Sequence, residues 1–151
     1  AAASADAHAQ TVVSTQKAWT VYSMQKDGQK VCYMGSKPTK KEGSYAHRGE
    51  PYVLVTARTA AIDEVSTSSG YPYKANSEVI LSIDGKESKL FTRGEIAWAY
   101  TEQQDKDTVA ALKKASKLVV KGVSSKGSKS TDSYSLAGFG AAYDQMKKQC
   151  K

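Results

Sequence analysis

The stretch WTVYSMQKDGQKVCYM, residues 19–34, decides the fold that we predict for this chain. Trp19 and Val21 stand two residues apart in its first run, which is the period of a β-strand. Asp27-Gly28 follows, a dipeptide typical of a tight hairpin turn, and Lys30–Met34 form a second apolar run. The stretch therefore predicts a β-hairpin.

Further runs of this kind predict more strands, and two stretches with apolar residues at helical spacing predict helices. The predicted strands cover residues 19–24, 30–34, 52–58, 62–67, 79–83, 88–93, 95–100, 118–123 and 131–136, and the predicted helices cover 106–115 and 137–149. Asp105 or Asp107 is expected to cap the first helix, and residues 35–50 to form an exposed loop. The sequence thus predicts an all-β fold, an antiparallel β-sandwich or open barrel with one short internal helix and a C-terminal helix.

The first residues differ from the rest of the chain. Ala7-His8-Ala9 matches the small-x-small pattern of a secretory cleavage site. The alternative is a floppy Ala-rich terminus that is not a targeting signal. We expect residues 1–16 to be a disordered tail or a signal-peptide remnant, and residues 17–151 to form a single β-sandwich domain. No apolar run approaches the roughly 20 residues that a membrane-spanning helix needs.

The chain is basic, with a net charge of +7 and a pI of about 9.3. Most of the positive charge comes from lysine, and the arginines are Arg48, Arg58 and Arg93. Proteins that bind nucleic acid usually combine arginine with interleaved aromatic residues. We therefore expect no nucleic-acid partner, and interpret the lysines as a solvated surface, with weak contact to anionic lipid or glycan as the alternative.

The two cysteines, Cys32 and Cys150, lie near opposite ends of the chain. An even pair that spans nearly the whole domain favours one disulfide between the last element and an early strand, and two unrelated buried thiols are the alternative. Because disulfides persist in oxidising compartments, the pair favours an exported protein.

The histidines are His8 and His47, and neither indicates a reaction centre. A catalytic histidine needs a nucleophile and an orienting carboxylate in space. Ser44 and Glu50 are near His47 in sequence, but a loop brings such residues together by chance. A zinc site needs three or four ligands, which two distant cysteines and one internal histidine do not supply. We expect a non-enzyme with no catalytic, cofactor-binding or metal site.

Two other short motifs have structural explanations. Asp105 and Asp107 have the D-x-D spacing of a calcium loop, but the next residues supply neither further oxygen ligands nor a glycine. Ser125–Lys129 is rich in Gly, Ser and Lys, but lacks the spacing of a phosphate-binding loop. We interpret the first as helix capping and the second as a β-turn.

Several motifs follow one another in an order that is more specific than any of them alone. They are Trp19-Thr20-Val21, Tyr71-Pro72, Val79–Gly85, Leu90-Phe91-Thr92, Ala97-Trp98, Ser116–Gly122, Ser124-Ser125 and Thr131–Ala142. In this order and spacing the chain resembles the invasion-associated locus B family over about residues 19–150. The residues expected to be structural are Trp19 and the terminal motif Tyr134, Ser135, Leu136, Gly138 and Phe139.

The resemblance implies a protein exported from a Gram-negative bacterium, periplasmic or associated with the outer membrane, with a β-sandwich-like fold. It implies a non-enzymatic binding or structural role with an unknown envelope or host protein as partner. The alternative is an envelope hydrolase with an unrecognised active site. Many members have a cysteine where this chain has Ser23, and a cysteine pair where residues 91–100 have none, so the chain resembles a branch with fewer disulfides.

Two further structural features are expected. We expect a disulfide between Cys32 and Cys150. Within Ser135–Phe139 we expect the chain to turn from strand to helix, with Gly138 permitting close backbone approach and Phe139 in the core.

Overall fold

The computed structural model describes residues 10–43, 47–58 and 62–150. The strands are β1 (Gln10–Gln16), β2 (Trp19–Lys26), β3 (Gln29–Ser36), β4 (Lys40–Gly43), β5 (Tyr52–Ala57), β6 (Asp63–Ser68), β7 (Glu78–Ile83), β8 (Lys86–Arg93), β9 (Ile96–Trp98), β10 (Lys117–Val123) and β11 (Lys129–Ser135). The helices are α1 (Glu102–Lys114) and α2 (Phe139–Gln149).

The strands form one 11-stranded sheet in the order β1-β2-β3-β5-β6-β9-β8-β7-β10-β11-β4. Every neighbouring pair in it is antiparallel. Over the described residues the sheet is open, because β1 and β4 are its two outer strands. The prediction of an all-β antiparallel fold with one internal and one C-terminal helix is confirmed.

Two segments predicted to lack regular structure are strands. Gln10–Gln16 belongs to the predicted disordered tail, but it pairs with β2 along its length and Val13 packs against the core. The earlier part of that prediction, residues 1–9, lies outside the described residues. Lys40–Gly43, in the predicted loop, pairs with β11 as β4. In both cases, pairing with a neighbouring strand outweighs weak local signals, because strand formation depends strongly on context.

Helix α1 begins earlier than predicted, and its cap is Thr101 rather than Asp105 or Asp107. The Thr101 hydroxyl accepts a hydrogen bond from the Gln104 N–H at 3.1 Å. The Asp105 carboxylate instead accepts a hydrogen bond from the Val65 N–H of β6 at 3.0 Å. The sequence offers two acidic residues as candidates for the helix cap. Asp105, the first of them, does not cap the helix because its carboxylate binds the backbone of β6.

The core lies against one face of the sheet, because buried and less buried residues alternate along most strands. The buried apolar residues form one cluster, to which both helices contribute. Its largest fully buried side chains include Trp19, Tyr134, Phe139, Met34, Leu81, Leu90, Leu112, Leu118 and Met146. The residues between them face the other way, and we call that side the outer face.

The predicted structural motif holds the start of α2 against β2. The Phe139 ring meets the Trp19 ring edge to face, with 4.9 Å between centroids, and both are buried. The indole N–H of Trp19 donates to the Ser135 carbonyl at 3.0 Å. Gly138 has φ +86°, and a Cβ there would clash with the Gln16 carbonyl oxygen, so this position requires glycine.

The rest of the motif lies in or beside the core. Tyr134 and Leu136 are buried, and the half-buried Ser135 accepts a hydrogen bond from the Ala137 N–H through its hydroxyl at 3.1 Å. At the other end of α2, Cys150 forms the expected disulfide with Cys32, with 6.0 Å between their Cα atoms. The terminal helix is therefore fixed to the inner face of the sheet at both ends.

Candidate binding groove

The outer face of β2, β3 and β5 carries a groove with a volume of about 710 Å³. From β1, β2 and β3 it is lined by Gln10, Tyr22, Met24, Lys26, Val31 and Tyr33. From β5 and the residue that follows it, the lining residues are Tyr52, Leu54, Thr56 and Arg58. Most of these side chains are apolar or aromatic, although the outer face of an antiparallel sheet is commonly polar.

Strand register sets the shape of the groove. Tyr22 lies opposite Tyr33, and their rings stack with 5.0 Å between centroids and 20° between planes. Gly35 of β3 lies opposite Leu54 of β5, and a Cβ on Gly35 would be only 2.7 Å from the Leu54 Cδ2. The glycine thus leaves the space that the Leu54 side chain fills, beside the tyrosine stack.

The groove is apolar at one end and cationic at the other. Tyr52 and Leu54 line one end, and Lys26 and Arg58 line the opposite end. Arg58 Nη2 forms a partly exposed ion pair with Glu64 Oε1 at 3.0 Å. Glu64 therefore partly neutralises the positive charge of Arg58. Lys26 adds a second cation at the same end.

The Tyr33 hydroxyl stays a neutral donor in this setting. It donates to the side-chain oxygen of Gln10. Desolvation by burial, and to a smaller degree the nearby Tyr22, raises the pKa of Tyr33 above its ordinary value. The tyrosine pair therefore presents ring surface and an uncharged hydroxyl at neutral pH.

A smaller depression of about 330 Å³ lies beyond β6 and holds two carboxyl groups, those of Glu64 and Asp105. Desolvation by burial is the main cause that raises the pKa of Asp105, and the Glu64 charge adds to the rise. Each carboxylate also has a structural partner, the Val65 N–H for Asp105 and the Arg58 guanidinium for Glu64. Two carboxyl groups in one depression are the minimum that acid–base hydrolysis would need.

Aromatic rings continue the outer face next to this depression. Phe91 lies 5.6 Å from Trp98 and 5.5 Å from Tyr100, measured between ring centroids. Trp98 is in register with Ser66, and Ser66 is in register with Leu54 of the groove. The aromatic surface of β8 and β9 therefore borders the groove across one small residue of β6.

The remaining sequence candidates do not assemble into a site. His47 is exposed, and Ser44 lies outside the described residues. Asp107 accepts a hydrogen bond from the Gln103 amide at 2.9 Å on the surface of α1. Ser125–Lys129 lies at the β10–β11 turn, as interpreted. No group of three or more possible metal-ligating side chains occurs among the residues that the structure describes.

Sequence reasoning missed a buried polar cluster beneath β11. The guanidinium of Arg48 pairs with the carboxylate of Asp132, and its Nε donates to the Ser69 carbonyl at 2.7 Å. Tyr71 shares a hydrogen bond with Ser130 in the same region. Burial raises the pKa of Asp132, while the charge of Arg48 opposes that rise. No local pattern could have indicated this pair, because its members are 84 residues apart.

The groove was also missed, but the sequence does contain a signal for it. Tyr22 and Met24 of β2 face outward, as do Val31 and Tyr33 of β3, while Val21, Cys32 and Met34 beside them are buried. The strands are therefore apolar or aromatic on both faces rather than on one. Such a pattern indicates either a second covered face or an exposed apolar surface, and only the structure separates the two.

Comparison with known proteins places this architecture in a family. Residues 19–147 match the family described as "Invasion associated locus B (IalB) protein". Among curated proteins, none matches the chain. The crystal structure of invasion associated protein B from Bartonella henselae superposes with a TM-score of 0.69 and 19% identity, covering 92% of this chain and 97% of that one. That structure shares the fold, and the match over residues 19–147 shows that the chain belongs to the invasion associated locus B family.

Proposed function

We propose that this protein is exported to the cell envelope and acts there by binding, without catalysis. The observation that carries the proposal is the groove, whose volume of about 710 Å³ lies within the roughly 300–1,000 Å³ of typical ligand sites. Among the described residues that line it, none is Asp, Glu, His or Cys. The groove therefore offers apolar contact and positive charge rather than a carboxylate, an imidazole or a thiol.

The disulfide supports the location that we propose. Cys32 and Cys150 are joined, and such a bond persists in an oxidising compartment such as the periplasm. Within the described residues, neither helix is long and apolar enough to cross a membrane. Family membership supports a location in the periplasm or at the outer membrane of a Gram-negative bacterium, with an envelope or host molecule as partner.

Sedimentation with envelope vesicles from a Gram-negative bacterium tests the binding role. We expect the double variant Tyr22→Ser/Tyr33→Ser to co-sediment several-fold less than the wild type, because it removes the ring surface of the groove. Tyr100→Ser is the matched control, since it removes a tyrosine that is 56% exposed outside the groove. Equal co-sedimentation of all three folded proteins would contradict a binding role for the groove.

Cell fractionation tests the proposed export independently of binding. The protein, expressed from its full gene in a Gram-negative host, is expected in the periplasmic or outer-membrane fraction. Both cysteines should resist alkylation until a reductant is added, since the disulfide protects them. A cytoplasmic protein with two reactive thiols would refute export.

The alternative is an envelope hydrolase, and one observation favours it. Glu64 and Asp105 line the same depression, and the raised pKa of Asp105 is the property that a general acid requires. The test is the release of soluble fragments from purified peptidoglycan. We expect none from the wild-type protein. Release that disappears in Glu64→Gln would establish the hydrolase instead.

A further inference from the structure

We propose that the groove binds a single-chain amphiphile with an anionic head group, an inference that rests on the binding role proposed above. The acyl chain would lie against Tyr52, Leu54 and the tyrosine stack. The head group would lie at the end lined by Lys26 and Arg58.

The groove extends along the strands. Its lining runs along β5 from Tyr52 to Arg58, which at about 3.3 Å per residue gives a length of roughly 20 Å. Its floor is formed by β2, β3 and β5 at about 5 Å per strand spacing, and Gln10 of β1 reaches over it to the Tyr33 hydroxyl. These proportions suit an extended hydrocarbon chain better than a compact ligand.

The two cations lie at one end because of the sheet topology. β2 and β5 are both antiparallel to β3, so they run in the same direction and their last residues lie at the same edge. Lys26 ends β2, and Arg58 follows the last residue of β5. A ligand that lies along the strands therefore meets apolar side chains over most of its length and positive charge at one end only.

The charge of the groove selects an anionic head group. Lys26 and Arg58 are cationic, and Glu64 balances only one positive charge through its pair with Arg58. The net charge of the chain, +7, attracts anions over a longer range. A cationic amphiphile would be repelled at the same end, so head-group charge is the discriminating property.

A glycan fits this surface less well. Sugar hydroxyls need paired donors and acceptors, and the neutral polar groups of the lining are Gln10, Thr56 and the tyrosine hydroxyls. The Gln10 oxygen already accepts from Tyr33. Carboxylates, which often fix sugar hydroxyls, do not occur among the described lining residues.

A peptide strand also lacks what it would need. Peptides that bind a sheet usually add to a free edge, where backbone N–H and C=O groups are unpaired. Here β3 lies at the floor of the groove, and it is paired with β2 on one side and β5 on the other. The groove offers side chains, and those favour a ligand without backbone hydrogen bonds of its own.

Isothermal titration calorimetry with dodecyl phosphate, below its critical micelle concentration, tests the proposal on the disulfide-bonded protein. We expect saturable one-to-one binding that weakens as salt is raised. Lys26→Glu should weaken it about tenfold, equivalent to about 1.4 kcal/mol. Leu54→Glu, which places a negative charge within the apolar part, should weaken it further. Lys126→Glu makes the same charge change as Lys26→Glu at the distant β10–β11 turn and should leave binding unchanged.

Two further ligands separate the sources of affinity. Inorganic phosphate alone should bind at least tenfold more weakly than dodecyl phosphate, because it lacks the chain. Dodecyltrimethylammonium should bind at least tenfold more weakly, because its head group is cationic. Circular dichroism and thermal melting establish that each variant is folded before it is titrated.

Several results would overturn the inference. Equal binding of the anionic and cationic amphiphiles would remove the head-group argument, and unchanged affinity in both Lys26→Glu and Leu54→Glu would place the ligand elsewhere. Specific binding of an anionic oligosaccharide with no binding of dodecyl phosphate would assign the groove to glycans. Groove-dependent retention on envelope vesicles without dodecyl phosphate binding would refute the ligand class while leaving the binding role intact.

Discussion

Two parts of the outer face, on opposite sides of the strand order, differ in character. We call the side chains over β2, β3 and β5 the aromatic half, and those over β7, β10, β11 and β4 the lysine half. In the lysine half, one register row contains Ile80, Lys121, Thr131 and Glu42. Three of these four side chains are polar, as is usual for the water-facing side of an antiparallel sheet, so this half requires no ligand to explain it.

The aromatic half differs because its outward positions have the residue types of a core. An exposed apolar surface in a folded protein commonly marks a site of interaction. The same inner core supports both halves, since the buried residues form one cluster. The halves therefore differ in the residues of their outer surfaces and not by having separate cores.

The largest expected effect comes from the disulfide, which lies directly behind the aromatic half. Cys32 stands between Val31 and Tyr33 of the groove, with its side chain on the inner face. In the chain-entropy model, Cys32→Ser/Cys150→Ser should lower the free energy of unfolding by about 4–5 kcal/mol. Denaturant unfolding measures the loss.

Hydrogen exchange locates this effect within the sheet. Amides of β2 and β3 should lose more protection in the double variant than those of β10 and β11, because α2 is then no longer tied to β3. Uniform loss of protection over the sheet would contradict a local effect of the disulfide on β2 and β3. A destabilisation below about 1 kcal/mol would contradict the entropic estimate.

The second effect comes from the other fixed end of α2. Phe139→Ala should lower the free energy of unfolding by roughly 3–5 kcal/mol, because a fully buried ring is removed. Trp19 loses its edge-to-face partner in the same change. Phe91→Ala is the matched control, since that ring is only half-buried and should contribute less. An unchanged melting temperature in Phe139→Ala would defeat the prediction.

The third effect is expected from the buried ion pair of Arg48 and Asp132, which lies beneath the lysine half. Arg48→Met leaves the buried carboxylate of Asp132 without its ion-pair partner, and breaking such a pair should cost about 3 kcal/mol. Arg93→Met, at an exposed position on β8, is the control and should have little effect. Thermal melting of both variants measures the difference. Equal melting temperatures would show that the pair is not important for stability.

Much of the fold follows from local patterns. The hairpins at Asp27-Gly28 and Asp84-Gly85 have a two-residue strand period on each side of a turn dipeptide, and both are present in the structure. β4 and β1 could not be predicted in this way, because pairing with a distant or adjacent strand decides them. Local patterns identify strong strands, whereas the sheet itself recruits weak ones.

The candidate site was less accessible to sequence reasoning. The groove depends on β2, β3 and β5 lying side by side, and β5 follows a segment that returns to the far edge of the sheet as β4. Alternation shows that Tyr22 and Leu54 face away from the buried positions, but not that they border one groove. Assembly of distant strands, and not the residue pattern of any one strand, forms the site.

The smallest expected effect concerns the lysine half and tests whether it also has a partner. At low ionic strength, the protein with its charge of +7 should bind weakly to vesicles of anionic lipid and not to neutral ones. The binding should fade by about 0.15 M salt, where the Debye length is about 8 Å. Vesicle sedimentation over a salt series measures it.

Lys121→Glu/Lys129→Glu, on β10 and β11, should abolish the binding if it arises from the lysine half. Lys26→Glu should abolish it if it arises from the groove. Equal, negligible sedimentation with both lipids would leave the lysine half as solvated surface and sharpen the contrast with the aromatic half.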